Sequence, residues 1–303
     1  MSNNNDFYIW WNGRLKRAEE LSVPLTAHAL HYGTSAFEGI RFYETDEGKR
    51  AVFRLKDHIK RLRYSAKALG MPSSYSQKDL ERAVLDTVGA VSFQSGYIRP
   101  IIFRGEGGLG LDPRKNKVHT AVMVLPWSDY LPKKGIKVKI VSRRRISPLA
   151  FDPQAKWGGV YVNSILAHLE AQKAKADEAL LLDQKGYIAE GAGENVFFRQ
   201  GNKLITPEEG SILPGITRDA VMSMASDLGY KIEVKRIKPV SIKNFQDCIL
   251  VGTAAEITPV AMIDGEKVGN GEIGEVASSL IEQFNGVVRG RVKKYQRWLT
   301  WVD

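Results

Sequence analysis

Apolar residues recur along this chain in two rhythms, alternating runs of strand length and stripes spaced by three and four. A turn at Gly48 leads into a short strand ending at Phe53, and a helix then carries Leu55, Ile59, Leu62, Ala66 and Leu69 on one stripe until Gly70 stops it. A second helix is predicted over 77–91, followed by strands over 97–103 and 118–126. The segment Trp127-Ser-Asp-Tyr-Leu-Pro-Lys-Lys-Gly135 is polar and punctuated by Pro and Gly, so it reads as a linker. Beyond it come a strand over 136–142 and a helix over 161–175 with Tyr161, Ile165 and Leu169 on one face. Two hairpins follow, 179–183 with 186–189 and 195–198 with 203–206. Thr217 is the expected N-cap of a helix presenting Val221, Met224, Ala225 and Leu228, closed by Gly229. Strands over 232–234 and 248–251 precede a last helix bearing Val276, Leu280 and Phe284. The expectation is an α+β protein with an N-terminal domain over 1–126, a linker over 127–135 and a C-terminal domain over 136–303.

A length of 303 residues suits two domains, and 43% hydrophobic with 26% charged residues is ordinary for a globular chain. No run approaches the ~20 apolar residues of a membrane span. The start, Met1-Ser-Asn-Asn-Asn-Asp6, has neither a basic nor an apolar segment, so a cytoplasmic location is expected. The single cysteine, Cys248, lies in a strand-like run and reads as a buried small hydrophobe. A net charge of +10 raises the question of nucleic acid. The basic clusters at 114–117, 133–139 and 143–145 lack interleaved aromatic platforms, so they read as solvated faces whose field attracts small anions.

Three segments could serve an anionic cofactor on physical grounds. Leu213-Pro-Gly-Ile-Thr-Arg-Asp219 is a glycine turn running into a helix start, where unpaired N–H groups and a partial positive charge suit a phosphate. Glu190-Gly-Ala-Gly-Glu-Asn195 combines two glycines, which allow close backbone approach, with two flanking acids. Gly252-Thr-Ala-Ala-Glu256 ends a strand in a small-residue turn with a hydroxyl. An ordinary capped helix and ordinary loops explain each of these singly. Together they supply phosphate donors and an acid for a ring nitrogen, which is what a pyridoxal phosphate site needs.

The run His28-Ala-Leu-His-Tyr-Gly-Thr-Ser-Ala-Phe-Glu-Gly-Ile-Arg41 resembles the N-terminal signature of branched-chain amino acid aminotransferases. So do Gly96-Tyr-Ile-Arg-Pro100, Lys156-Trp-Gly-Gly159, the 190–195 loop, 213–219 and 252–259, in the family's order and spacing from about Tyr8 to Trp298. The resemblance implies fold type IV, with a small N-terminal α/β domain and a larger, β-barrel-like C-terminal domain carrying helices. It implies pyridoxal 5′-phosphate joined covalently to Lys156. Arg61 matches the phosphate-binding arginine, alongside the Ile216 and Thr217 amides and the Thr253 hydroxyl; periodicity alone does not separate it from Arg54 and Arg63. Glu190 matches the acid at the pyridine nitrogen, Tyr161 the phenol at the ring's 3′ oxygen, and Leu213 the contact on the ring face. Phe37, Trp127, Tyr130 and Tyr161 resemble the walls of a side-chain pocket. Tyr97 and Arg99, with the turn amides over Thr253, Ala254 and Ala255, resemble the receiver of the substrate carboxylate. Arg99 is also the candidate polar group that admits glutamate. Tyr32 and Leu111 match contributions from a partner subunit, implying a homodimer or a multiple of one, up to a hexamer.

The implied reaction exchanges the amino group of leucine, isoleucine or valine with 2-oxoglutarate. A lysine of ordinary pKa ~10.4 must lose its proton to attack an aldehyde and, once released, can move a proton as general base. Rivals of the same fold are D-amino acid or (R)-amine transaminases, against which Tyr97-Ile-Arg99 argues, and aminodeoxychorismate lyase, whose bulky ring suits an apolar pocket poorly. Two departures bear on the pocket: Trp157 is far bulkier than the small residue expected beside the lysine, and Leu111 could narrow it.

Overall fold

The computed structural model describes residues 7–127, 131, 132 and 134–302, and its contacts divide into two units. The first holds the described residues of Met1–Ser128 with Ala155–Val160 and Val288–Asp303; the second holds those of Asp129–Gln154 with Tyr161–Val287. Two segments distal to the expected linker therefore belong to the first unit. The reason is backbone pairing: Trp157 bridges Ala36, and Leu299–Trp301 runs antiparallel to Arg50–Phe53. Tyr130 lies outside the described residues.

The first unit is an eight-stranded sheet among the described residues. Its order is Leu299–Trp301, Arg50–Phe53, Ile40–Glu44, Gly96–Arg104, Val118–Leu125, Tyr8–Trp11 and Arg14–Arg17, with Ser35–Phe37 also paired to Gly96–Arg104. The helices Leu55–Ala68 and Gln77–Gly89 contribute to its core. Leu55, Ile59, Leu62 and Ala66 are all fully buried, as the stripe predicts. Each buried Leu or Ile contributes about 1.5–3 kcal/mol, so the stripe fixes the rotation of the first helix and thereby aims His58 and Arg61 on its flank. The second helix starts in a capping box in which Ser76 and Asp79 satisfy each other's backbone N–H.

The second unit is a nine-stranded sheet among the described residues. Its order is Ile188–Gly191, Glu178–Leu182, Ile136–Arg144, Glu256–Ile263, Asp247–Gly252, Asn195–Gln200, Lys203–Thr206 and Lys231–Val234, with Glu266–Lys267 beside Glu256–Ile263. Helix Tyr161–Lys173 connects the parallel strands Ile136–Arg144 and Glu178–Leu182. The face it buries is Ser164, Ala167 and Ala171, while Ile165 and Leu169 are 57% and 47% exposed. Small residues let the helix lie close on Val141, Ala179 and Leu181. Cys248 is buried as expected, and burial pushes its thiol well up. No described helix is long and apolar enough to cross a membrane.

Candidate active site

In the first unit, Lys156 lies in a short connection pinned to its surroundings by backbone bonds. Its N–H donates to Ser65 Oγ at 2.9 Å and its carbonyl accepts from the Phe37 N–H at 3.1 Å. Its Nζ stands 5.0 Å from the centre of the Phe37 ring. Arg99 covers the same ring at 4.7 Å and donates from Nη2 to Tyr97 Oη at 2.9 Å. Tyr97 stacks on Trp127 with ring centres 4.5 Å apart. Phe37, Tyr97, Arg99, Trp127 and Lys156 are thus one connected set, and the buried Nε of Arg99 has no hydrogen-bond partner among the described residues. The bulk of Trp157 has a structural explanation: its indole donates to Ser65 O at 2.7 Å and packs on the core of this unit.

Arg61 belongs to the same unit, and the structure separates it from its neighbours. Arg54 pairs with Asp57 and covers Trp298, and Arg63 is exposed. Arg61 reaches the fully buried Glu38, donating from Nε at 2.5 Å and from Nη2 at 2.9 Å. His58 Nδ1 lies 2.8 Å from the same carboxylate. Burial alone would raise the Glu38 pKa; Arg61 and His58 outweigh it and hold the carboxyl far below its ordinary value. Burial pushes His58 down, against the pull of Glu38. Tyr32 is half-exposed and donates to Leu109 O at 2.6 Å, and Leu111 is 84% exposed.

The second unit carries the acid and the helix start. Glu190 is buried on the strand Ile188–Gly191 and accepts from Asn195 Nδ2 at 3.0 Å and from the Leu213 N–H at 3.1 Å. Arg145 Nη2 lies 2.8 Å from its Oε1. Asn195 Nδ2 also donates to Leu213 O at 3.0 Å, so one amide ties the acidic loop to the glycine turn. That turn lies flat on Asn195: a Cβ at Gly215 would come within 2.0 Å of Asn195 Oδ1. The helix begins at Ile216 with Gly215 as its N-cap, rather than with the expected cap at Thr217. Thr217 sits inside the first turn, buried, where the amides of Ile216 and Thr217 have no intrahelical acceptor. Thr253, Ala254 and Ala255 form the turn between the strands Asp247–Gly252 and Glu256–Ile263, with Gly252 paired to Glu256. Tyr161 opens its helix, half-buried.

The acidic loop is folded into the protein. Its flanking acids are not solvated, since Glu190 and Glu194 are 5% and 4% exposed. A Cβ at Gly191 would lie 2.7 Å from Glu194 Oε2, so a side chain there would have to displace that carboxylate. Three further residues escaped the sequence reading. Arg145 ends a basic cluster assigned to solvent, yet only 11% of its side chain is exposed, at Glu190. Glu38 and Asn195 lie within recognised motifs but carry no sign of buried acid or amide.

The donor sets fit pyridoxal phosphate. In the second unit a buried carboxylate held by an amide, a backbone N–H and an arginine suits a protonated ring nitrogen, and a helix start and a threonine turn are each of a kind that suits a phosphate; in the first, Arg61 is a cation of the kind a phosphate takes. The family model for amino-transferase class IV matches residues 35–263. The branched-chain-amino-acid aminotransferase of Escherichia coli K12 is 39% identical over 98% of this chain and 97% of its own. The crystal structure of the Escherichia coli branched-chain amino acid aminotransferase superposes with a TM-score of 0.95 at 38% identity, covering 98% of this chain and 100% of that one. The Thermobaculum terrenum branched-chain amino acid aminotransferase, solved in its PLP form, gives 0.93 at 34% identity, covering 99% and 100%. With a family match over most of its length and relatives spanning nearly all of it, this chain belongs to the class IV aminotransferases, of fold type IV.

Proposed function

We propose that this enzyme transfers the amino group of L-leucine, L-isoleucine and L-valine to 2-oxoglutarate with pyridoxal 5′-phosphate as cofactor. The observation that carries the substrate class is the aromatic group Phe37, Tyr97 and Trp127 with Arg99 laid against it. Apolar rings suit a branched side chain, and a single guanidinium whose buried Nε lacks an acceptor suits a carboxylate. The same cation admits glutamate.

The bound cofactor supplies an electron sink that lets the Cα–H bond of the amino acid break. Lys156 would hold the cofactor and move the proton to and from Cα as general base. Glu190 keeps a proton at the ring nitrogen, and Arg145 and Asn195 fix its carboxylate for that task. Arg61, Thr217, Thr253 and the amides at Ile216 and Thr217 would serve the phosphate, and Tyr161 and Leu213 the ring. The amides over Thr253–Ala255 share the carboxylate with Arg99. Tyr32 and Leu111, both on exposed segments of the first unit, serve a partner copy in a homodimer or a multiple of one. A cytoplasmic location completes the reading.

The test is a donor panel. Purified enzyme is expected to be yellow, to lose its visible band with borohydride, and to form glutamate from L-leucine and 2-oxoglutarate. Lys156→Ala is expected to abolish turnover. Pyruvate release from aminodeoxychorismate, or a preference for D-amino acids, would overturn the assignment while leaving the family intact.

A further inference from the structure

We propose that Glu38 is a positioning residue for cofactor binding: its buried carboxylate locks the Arg61 guanidinium into the one orientation that receives the cofactor phosphate, with His58 as a brace. The inference rests on the reading of Arg61 as a phosphate ligand and adds a residue to it. Glu38 follows Phe37, the ring beside Lys156 Nζ, and its own N–H is fixed to Pro100 O at 2.9 Å. Its side chain is fully buried and meets donors on both oxygens: Arg61 Nε at Oε1, and Arg61 Nη2, His58 Nδ1 and, at 3.3 Å, the Gly39 N–H at Oε2. His58 and Arg61 stand three residues apart on one helix, so both converge on a single carboxylate.

The side-on grip engages Nε and one Nη2 hydrogen. A guanidinium is a rigid plane with five N–H donors, so fixing one edge fixes the direction of the donors that Glu38 does not use. An ungripped arginine must give up rotamer freedom when a phosphate binds, and that cost subtracts from affinity. Coulomb's law alone predicts the opposite sign, since removing a carboxylate beside Arg61 leaves more positive charge for a phosphate. Positioning and bulk electrostatics are therefore separable by the direction of one measurement.

The experiment titrates apoenzyme with pyridoxal phosphate and with pyridoxal, which has no phosphate, following protein fluorescence. Glu38→Gln is expected to weaken pyridoxal phosphate about tenfold while changing pyridoxal less than about twofold. In an Arg61→Lys background, which lacks the fork, Glu38→Gln is expected to have little further effect. Equal losses for both ligands would reveal a merely structural role, and an unchanged or tightened pyridoxal phosphate affinity would reveal a purely electrostatic one; either overturns the inference. If Arg61→Lys itself leaves the preference for the phosphorylated ligand intact, the assignment of Arg61 fails, and the inference with it. Should Glu38→Gln not fold, Glu38→Asp keeps the charge on an arm one methylene shorter. It is expected to show a smaller loss confined to the phosphorylated ligand, and a loss shared by both ligands overturns the inference there too.

Discussion

Each unit buries carboxylates at the residues placed near its chemistry, and it treats them in opposite ways. In the first unit Glu38 is surrounded by a guanidinium and an imidazole and is held ionised, far below its ordinary pKa. In the second, Glu178 and Glu194 are buried near one another with few donors. Burial raises Glu178 to about 7, and burial together with the charges of Glu178 and Glu190 raises Glu194 to about 8. Among the described residues Glu178 Oε2 has no hydrogen-bond partner, and Glu194 Oε2 receives only the Gly193 N–H at 3.1 Å. Burial is common to all three, so burial does not set the charge; the partner does. Glu190 is also given donors, from Arg145 and from Asn195.

The largest effect is expected where the comparison is broken outright. Arg61→Met leaves Glu38 with His58 and one weak N–H, so a buried carboxylate loses its main counter-charge. Breaking such a pair costs about 3–5 kcal/mol, which should appear as a large fall in the urea midpoint at pH 7.5. The sign with pH also changes. In the native protein the folded pKa of Glu38 is depressed, so its contribution is present above about 4.5, the unfolded value, and is lost as pH falls toward the folded one. In the variant the acid should behave like Glu194, with stability lost as pH rises. A midpoint within error of the native one would show that His58 alone holds the charge.

A smaller effect is expected from the pair in the second unit. Groups with raised folded pKa values stabilise below their unfolded value near 4.5, and that stability drains away as pH rises through about 7 and 8. Glu194→Gln is neutral at every pH, so it should flatten the decline in urea midpoint between pH 5.5 and 8.5. One proton contributes at most about 1.4 kcal/mol per pH unit to that slope. An unchanged slope in the variant would place the titration elsewhere.

How much of this was legible in the sequence depends on what each residue answers to. Helix Leu55–Ala68 was readable because its apolar stripe is a local pattern, and the hairpin strands were readable because short apolar runs bounded by turn residues are local too. The roles given to Lys156, Glu190 and Thr217 rest on motifs, because no local pattern singles them out. Arg145 was not readable, because a run of three arginines gives no sign that its last member turns inward to an acid 45 positions away. Glu38 was invisible for the same reason: its donors come from a helix about 20 residues on, and only tertiary packing brings them together. The helix is capped at Gly215 rather than Thr217, and Gly215 packs against Asn195, a residue about 20 positions away in sequence. On helix Tyr161–Lys173 the large apolar residues drew attention, yet the sheet is met by the small ones, because strand packing at close range selects for size.

The smallest expected effect sharpens the comparison from its edge. His168 Nδ1 lies 3.2 Å from Glu178 Oε1, superficially the counterpart of His58 at Glu38. The two differ in setting: His58 is 2% exposed and stands with Arg61, whereas His168 is 32% exposed and has no arginine beside it at the acid. Its pull on Glu194 is the weakest of the five influences there and is directed toward the charged form. His168→Gln should therefore change stability by no more than about 0.5 kcal/mol. It should leave the pH-dependent decline in place, because burial and the neighbouring carboxylates set it. Urea midpoints at half-unit steps between pH 6 and 8.5 would check this. A flattened profile instead would mean that the histidine, not the crowding of Glu178, Glu190 and Glu194, is the titrating group, and the contrast between the two units would then rest on imidazoles rather than on carboxylates.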